Sequence, residues 1–177
     1  MSTIPQYPQS IALIGLSGTG KSTVGQVLAE RLGWSLLDTD AMIVEQTGRS
    51  AADIFAENGE AAFRDLETQV LANIFAHTPC IVATGGGIVL RKTNRTLLQQ
   101  NSYVVWLDAP IETLIARLQA HDEERPLLQG NDPSTQLAQL QSERAALYQT
   151  IADIRIDTGE KTTLEICDII LQATNLT

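Results

Sequence analysis

Ile11-Ala12-Leu13-Ile14-Gly15-Leu16-Ser17-Gly18-Thr19-Gly20-Lys21-Ser22 joins an apolar run to the spacing G-x-x-x-x-G-K-S. Beyond it, Val24, Val27, Leu28 and Leu32 recur at helical spacing, so the stretch reads as strand, loop and helix. Such a turn aims several backbone N–H groups and the positive end of a helix at one point, where a polyphosphate sits. Glycine lets the backbone curl around the anion without Cβ clashes. Lys21 then reaches the outer phosphates, and the Ser22 hydroxyl binds the Mg²⁺ that bridges them. A chance match in a chain of this length is on the order of one in a hundred. The competing reading is a glycine-rich turn before an ordinary helix; binding of a nucleoside triphosphate is the working premise.

Composition narrows what surrounds that site. The 177 residues, 44% of them hydrophobic, suffice for one domain with a substantial core, expected over residues 11–177 behind a flexible tail at 1–10. A net charge of −9 and a pI near 4.6 argue against nucleic acid or an anionic membrane as partner. Met1 to Ser10 is polar and carries Pro5 and Pro8, unlike a signal peptide, and no apolar stretch has the length of a membrane span. Cys80 and Cys167 sit in apolar runs and read as core thiols, while His77 and His121 have no metal-ligand spacing. A cytoplasmic monomer is expected.

Strands alternate with helices along the chain, which predicts a single α/β layer fold. Trp34-Ser35-Leu36-Leu37 predicts a second strand ending in Asp38-Thr39-Asp40, at the edge of the sheet where ligands collect. A short helix is expected from about Ala41 to Thr47, then a helix behind Ser50, then another from about Gly59 to His77. In that last helix Phe63, Leu66, Val70 and Ile74 form the buried stripe, with Arg64 and Glu67 beside it. Strand Cys80–Ala83 leads into Thr84-Gly85-Gly86-Gly87, either a flexible turn or a backbone that something approaches closely. Strand Tyr103–Leu107 ends at Asp108, a rival to Asp38 for the magnesium shell or only a helix cap.

Residues 119–133 turn polar, as expected of a lid over a site, and carry Arg125 before Pro126. Arg125 is open to two readings: a surface ion pair, or a cation swung over the transferring phosphate when the loop closes. In the next helix, from about Pro133 to Tyr148, Arg144 falls on the apolar stripe of Leu137, Leu140, Leu147 and Tyr148. A buried guanidinium needs an anion, either an internal carboxylate or an acidic ligand. A last strand, Ile154–Asp157, precedes a closing helix with Leu164, Cys167, Ile170 and Leu171 on its apolar side.

Taken in order, G-x-x-G-x-G-K-S, Leu37-Asp38-Thr39-Asp40, Phe63-Arg64-Asp65-Leu66-Glu67, Thr84-Gly85-Gly86-Gly87, Arg125-Pro126-Leu127-Leu128 and Arg144-x-x-x-Tyr148 resemble shikimate kinase, from about residue 11 to 175. The resemblance implies a P-loop kinase of the nucleoside-monophosphate-kinase type, with a five-stranded parallel sheet in order 2-3-1-4-5 flanked by helices and a mobile lid. It implies transfer of the γ-phosphate of ATP, with Mg²⁺, to the 3-hydroxyl of shikimate in aromatic amino-acid biosynthesis. Residues matching the family's substrate pocket are Asp40, Arg64, Gly86 and Arg144, with Gly85 and Gly87 completing the triplet. Those matching its nucleotide side are Gly18, Thr19, Gly20, Lys21, Ser22, Thr23 and Arg125, with Ser22 on Mg²⁺ and Asp38 behind a metal-bound water. Arg117 lies one residue from the family's adenine-stacking arginine, and Lys161 occupies a place near the adenine where a basic residue is common.

The residue chemistry is consistent with this resemblance. Two arginines on separate helices supply fork-shaped donors to a small carboxylate. Asp40, at a strand end facing the phosphate loop, is placed to orient the attacking hydroxyl and take its proton. Lys21, Mg²⁺ and Arg125 would neutralise the developing charge. A related small-molecule kinase such as a gluconate kinase would share the loop and lid but not this set of two arginines and a glycine triplet. A nucleotide-binding regulatory module without transfer activity would have no use for Lys21, Ser22, Asp38 and Asp40 together.

Overall fold

The computed structural model describes residues 10–76, 79–120 and 132–176. Five parallel strands form one sheet in the order β2-β3-β1-β4-β5: β1 is Ser10–Ile14, β2 Ser35–Asp38, β3 Cys80–Ala83, β4 Tyr103–Asp108 and β5 Ile154–Asp157. This is the expected order. The expected tail, apart from Ser10, and most of the expected lid, including Arg125, lie outside the described residues, as do His77 and His121. No described helix is long and apolar enough to cross a membrane.

The apolar run Ile11–Ile14 is central because it can be buried on both faces, as a parallel sheet requires. Its alternate residues serve two cores. Ile11 and Leu13 pack with Val24, Leu28, Ile166 and Ile170 from helices α1 (Lys21–Leu32) and α7 (Thr163–Thr174). Ala12 and Ile14 face the other layer, with Phe63, Val70, Leu98 and Tyr148. These come from α3 (Ala51–Ile74), α4 (Lys92–Asn101) and α6 (Pro133–Ile151). Both cysteines are buried and free, as expected.

Differences from the sequence reading have local causes. Helix α2 (Thr39–Thr47) starts two residues early, because the Asp38 carboxylate caps it by accepting from the N–H groups of Asp40 and Ala41 at 3.0 and 3.1 Å. The two helices expected on either side of Gly59 run together in α3, with Gly59 alone in a non-helical conformation. Helix α4 has no counterpart in the sequence reading; it buries only Asn94 and Leu98, too few to make a stripe. Leu164, expected on the apolar side of α7, is 56% exposed, and Ile166 takes its place in the core. Helix α5 (Ile111–Ala120) follows Pro110, and Asp132 caps α6 through the N–H of Thr135.

The strand order reverses at β1, so the loops leaving β1 and β3 part company at the sheet's carboxyl edge and leave a crevice there. Gly15 starts that loop at φ 141°, where a Cβ would run into the carbonyl oxygen of Leu107 on β4. Gly48 is also left-handed, at φ 65°, but faces open space. Gly15→Ala is therefore expected to cost roughly 3 kcal/mol, from backbone strain and overlap together. Gly48→Ala should cost only about 1 kcal/mol; urea unfolding of the two variants gives the comparison.

Candidate active site

A cleft of about 1200 Å³ opens at the carboxyl edge of the sheet, with the phosphate loop in its middle. Asp38, Asp40, Arg64, Gly85, Gly86, Gly87 and Arg144 line it together with residues 18–23, Arg117 and Lys161. The fold thus gathers every expected site residue within the described residues into one cavity.

At the phosphate loop, Gly20 begins α1 at φ 92° with no side chain capping the helix, so the first N–H groups are left to the cleft. Lys21 Nζ donates to the carbonyl oxygens of Gly15 and Leu16 at 2.9 and 2.8 Å, which holds the ammonium over the loop that a phosphate would enter. Ser22 Oγ donates to Asp38 Oδ2 at 3.1 Å, while Asp38 Oδ1 caps α2. A hydroxyl beside a fixed carboxylate suits Mg²⁺, which takes one or two protein oxygens and fills its shell with phosphate and water. Among the described residues no cluster of three or more His, Cys, Asp or Glu forms a full metal cage.

Asp108 does not share that place. Its Oδ2 accepts from Arg155 Nη2 at 2.6 Å and its Oδ1 from Gln141 Nε2 at 3.4 Å, in a separate recess of about 400 Å³. Arg155 in turn lies over the Trp106 ring, 4.5 Å from its centroid. The carboxylate is used to tie β4 to β5, which removes it as a rival to Asp38.

Beyond the phosphate loop, each glycine of the triplet makes room for a different side chain. A Cβ on Gly85 would stand 2.6 Å from Asp40 Oδ1. One on Gly86 would stand 3.4 Å from Arg144 Nη1, and one on Gly87 would stand 2.6 Å from Arg64 Cζ. Of the two readings of this stretch, close approach is the one the structure bears out. A carboxylate and two guanidinium groups stand along three consecutive residues, pressed against backbone that offers no side chain of its own.

The two arginines are held differently. Arg64 Nη1 donates to Glu67 Oε2 at 2.6 Å, and its Nε and Nη2 both reach Glu60 Oε1 at 3.2 Å. Glu67 is 1% exposed; burial pushes its pKa up, opposed by Arg64 and, more weakly, by Arg144, while the nearby Asp40 charge adds to the rise. Both guanidinium groups therefore act on one carboxyl group. Arg144 is also buried, as its place on the apolar stripe predicts, yet its Nε has no acceptor among the described residues. Burying a cation with a donor unmet is costly unless something anionic meets it.

At the opposite end of the cleft, Arg117 donates to Gly18 O at 3.3 Å, to Thr158 Oγ1 at 3.0 Å and to Thr158 O at 2.7 Å. The buried Thr158 hydroxyl in turn donates a hydrogen bond to Thr19 O at 3.3 Å. Lys161 is exposed at the same end. Sequence reasoning did not single out Thr158, nor the buried state of Glu67, nor Thr39 and Tyr148 as partners of the glycine triplet. Thr39 and Tyr148 stand inside the stretches Asp38-Thr39-Asp40 and Arg144-x-x-x-Tyr148, so only their roles went unread.

The family model described as shikimate kinase matches residues 17–175. A shikimate kinase of Gloeobacter violaceus is 49% identical over 147 residues, 83% of this chain and 82% of the relative. One from a Nostoc species is 47% identical over 165 residues, 93% and 90% of the two chains. Among solved structures, a shikimate kinase from Acinetobacter baumannii in complex with shikimate superposes with a TM-score of 0.88 at 38% identity, covering 93% of this chain and 92% of that one.

Gly87 has φ −90° and ψ 1°, a conformation alanine also adopts, so Gly87→Ala tests the triplet without backbone strain. The added methyl should push Arg64 off its seat and raise the KM for the acidic substrate at least tenfold, with the nucleotide KM within twofold of the parent. Steady-state kinetics in each substrate measures both.

Proposed function

The chain belongs to the shikimate kinase family, and we infer that it transfers the γ-phosphate of ATP to the 3-hydroxyl of shikimate, giving shikimate 3-phosphate and ADP. The observation that carries this reading is the seating of Asp40, Arg144 and Arg64 against Gly85, Gly86 and Gly87, in the same cleft as the phosphate loop. The presence of Lys21, Ser22, Asp38 and Asp40 in one cleft speaks against a nucleotide-binding module without transfer.

Shikimate presents one carboxylate and three hydroxyls. The carboxylate is matched by Arg64 and Arg144, whose unmet Nε donor supports an anionic occupant. Of the two readings left open for Arg144, the ligand is the better supported. Asp40 accepts the proton of the attacking hydroxyl and turns its lone pair toward the γ-phosphate. The N–H groups at the start of α1 and the Lys21 ammonium hold the β- and γ-phosphates in line with that hydroxyl. Arg117 and Lys161 border the space for the adenine.

The oxygens of Ser22 and Asp38 would hold Mg²⁺, which when bound neutralises charge between the β- and γ-phosphates. Arg125, outside the described residues, is assigned to the transferring phosphate from its place in the sequence between α5 and α6. Residues 119–133 act in this reading as a lid on the domain formed by 11–177. Gluconate is an acidic polyol too, so the pairing of two arginines with the glycine triplet, together with family membership, is what favours shikimate over it.

Initial-rate release of ADP with and without shikimate tests the activity; turnover that ignores shikimate would overturn it. Asp40→Asn should reduce transfer by about a thousandfold while ATP still binds. Arg144→Ala should raise the KM for shikimate far more than the KM for ATP, and equal effects on both would move Arg144 out of the acid pocket.

A further inference from the structure

The glycine triplet presents three site side chains in fixed register, yet glycine is the residue least able to hold a backbone in place by itself. Two buried side chains hold this one. Tyr148, 1% exposed, donates its hydroxyl proton to Gly86 O at 2.5 Å. Thr39, fully buried, accepts from Gly85 N–H through Oγ1 at 3.0 Å. The peptide segment Gly85–Gly86 is thus gripped on its N–H side from α2 and on its carbonyl side from α6.

Both grips come from elements that carry site residues. Thr39 lies between Asp38 and Asp40 in sequence. Tyr148 lies one helical turn beyond Arg144, whose charge acts on its hydroxyl. Burial pushes the phenol's pKa up to about 12, against the pull of Arg144, so the hydroxyl remains a proton donor throughout the working pH range. An unmet carbonyl at Gly86 or N–H at Gly85 would relax toward another partner. Asp40 stands beside Gly85 and Arg144 beside Gly86, so a shift of this segment is felt by both.

We propose that Tyr148 and Thr39 are positioning residues for the phosphoryl transfer, setting the register of Arg144 and Asp40 through the one peptide segment they share. The proposal rests on the shikimate kinase reading of the cleft. The competing role for Tyr148 is packing: its ring lies 5.6 Å from that of Trp106, centroid to centroid, in the core.

Tyr148→Phe and Thr39→Val remove the hydroxyls and keep the volumes. Each should raise the KM for shikimate five- to tenfold with the KM for ATP within twofold of the parent. The double variant should fall short of the product of the two, since both act on one segment. Trp106→Phe is the packing control: it should lower the thermal midpoint and leave the KM for shikimate within twofold. A proportional change in both KM values, no change in either, or fully multiplicative effects in the double variant would overturn the proposal. If Tyr148→Phe does not fold, Thr39→Val alone still decides through its KM split. Failure of the parent protein to use shikimate would overturn the functional reading itself, a result distinct from normal KM values in the variants.

Discussion

The absence of three Cβ atoms at residues 85–87 is the constraint on which the rest of the site depends. Asp40, Arg144 and Arg64 come from three different helices, and each occupies space that a side chain on the triplet would take. The backbone that makes this possible hangs from the end of β3, directly beside the loop that leaves β1. The proposed acid pocket and the phosphate loop are therefore neighbours because two adjacent parallel strands end at the same edge. Fold and chemistry meet in that one adjacency.

Electrostatics explains why the pocket is built around paired charges. A buried carboxylate and guanidinium, such as Glu67 with Arg64, stabilise a fold little once the cost of desolvation is counted. The pair makes sense as a way to aim Arg64, whose guanidinium plane is fixed by Glu67 on one side and Glu60 on another. Arg144 stands one helical turn from Tyr148 and is left with a donor unmet. The chain as a whole carries a net charge of −9, yet Lys21, Arg64, Arg117, Arg144 and Lys161 all line the cleft, where a small anion gains most from them.

Much of this architecture was legible in the sequence because it depends on patterns with a short period. The continuous apolar run at 11–14, the glycine spacing that follows it and the Asp at the end of β2 each carry their reason locally. Arg144 announced itself by interrupting an apolar stripe. What could not be read was anything requiring a partner from elsewhere in the chain. Asp108 looked like a metal carboxylate until Arg155, 47 residues on, was seen to hold it. Tyr148 read as a stripe residue because nothing local reveals that its hydroxyl meets Gly86, 62 residues away. Helix α4 escaped because a helix with two buried residues leaves no periodic mark, and Leu164 misled because an exposed leucine at a helix start fits the pattern as well as a buried one.

The central claim is that Arg64 and Arg144 converge on one carboxylate while Asp40 takes the hydroxyl that faces the phosphate loop. A crystal structure of the protein with shikimate and ADP tests it most directly. The account predicts the shikimate carboxylate within about 3 Å of both guanidinium groups, Arg144 Nε no longer unmet, and a hydroxyl on Asp40. A carboxylate bound elsewhere, with Arg64 and Arg144 keeping their present partners, would contradict it.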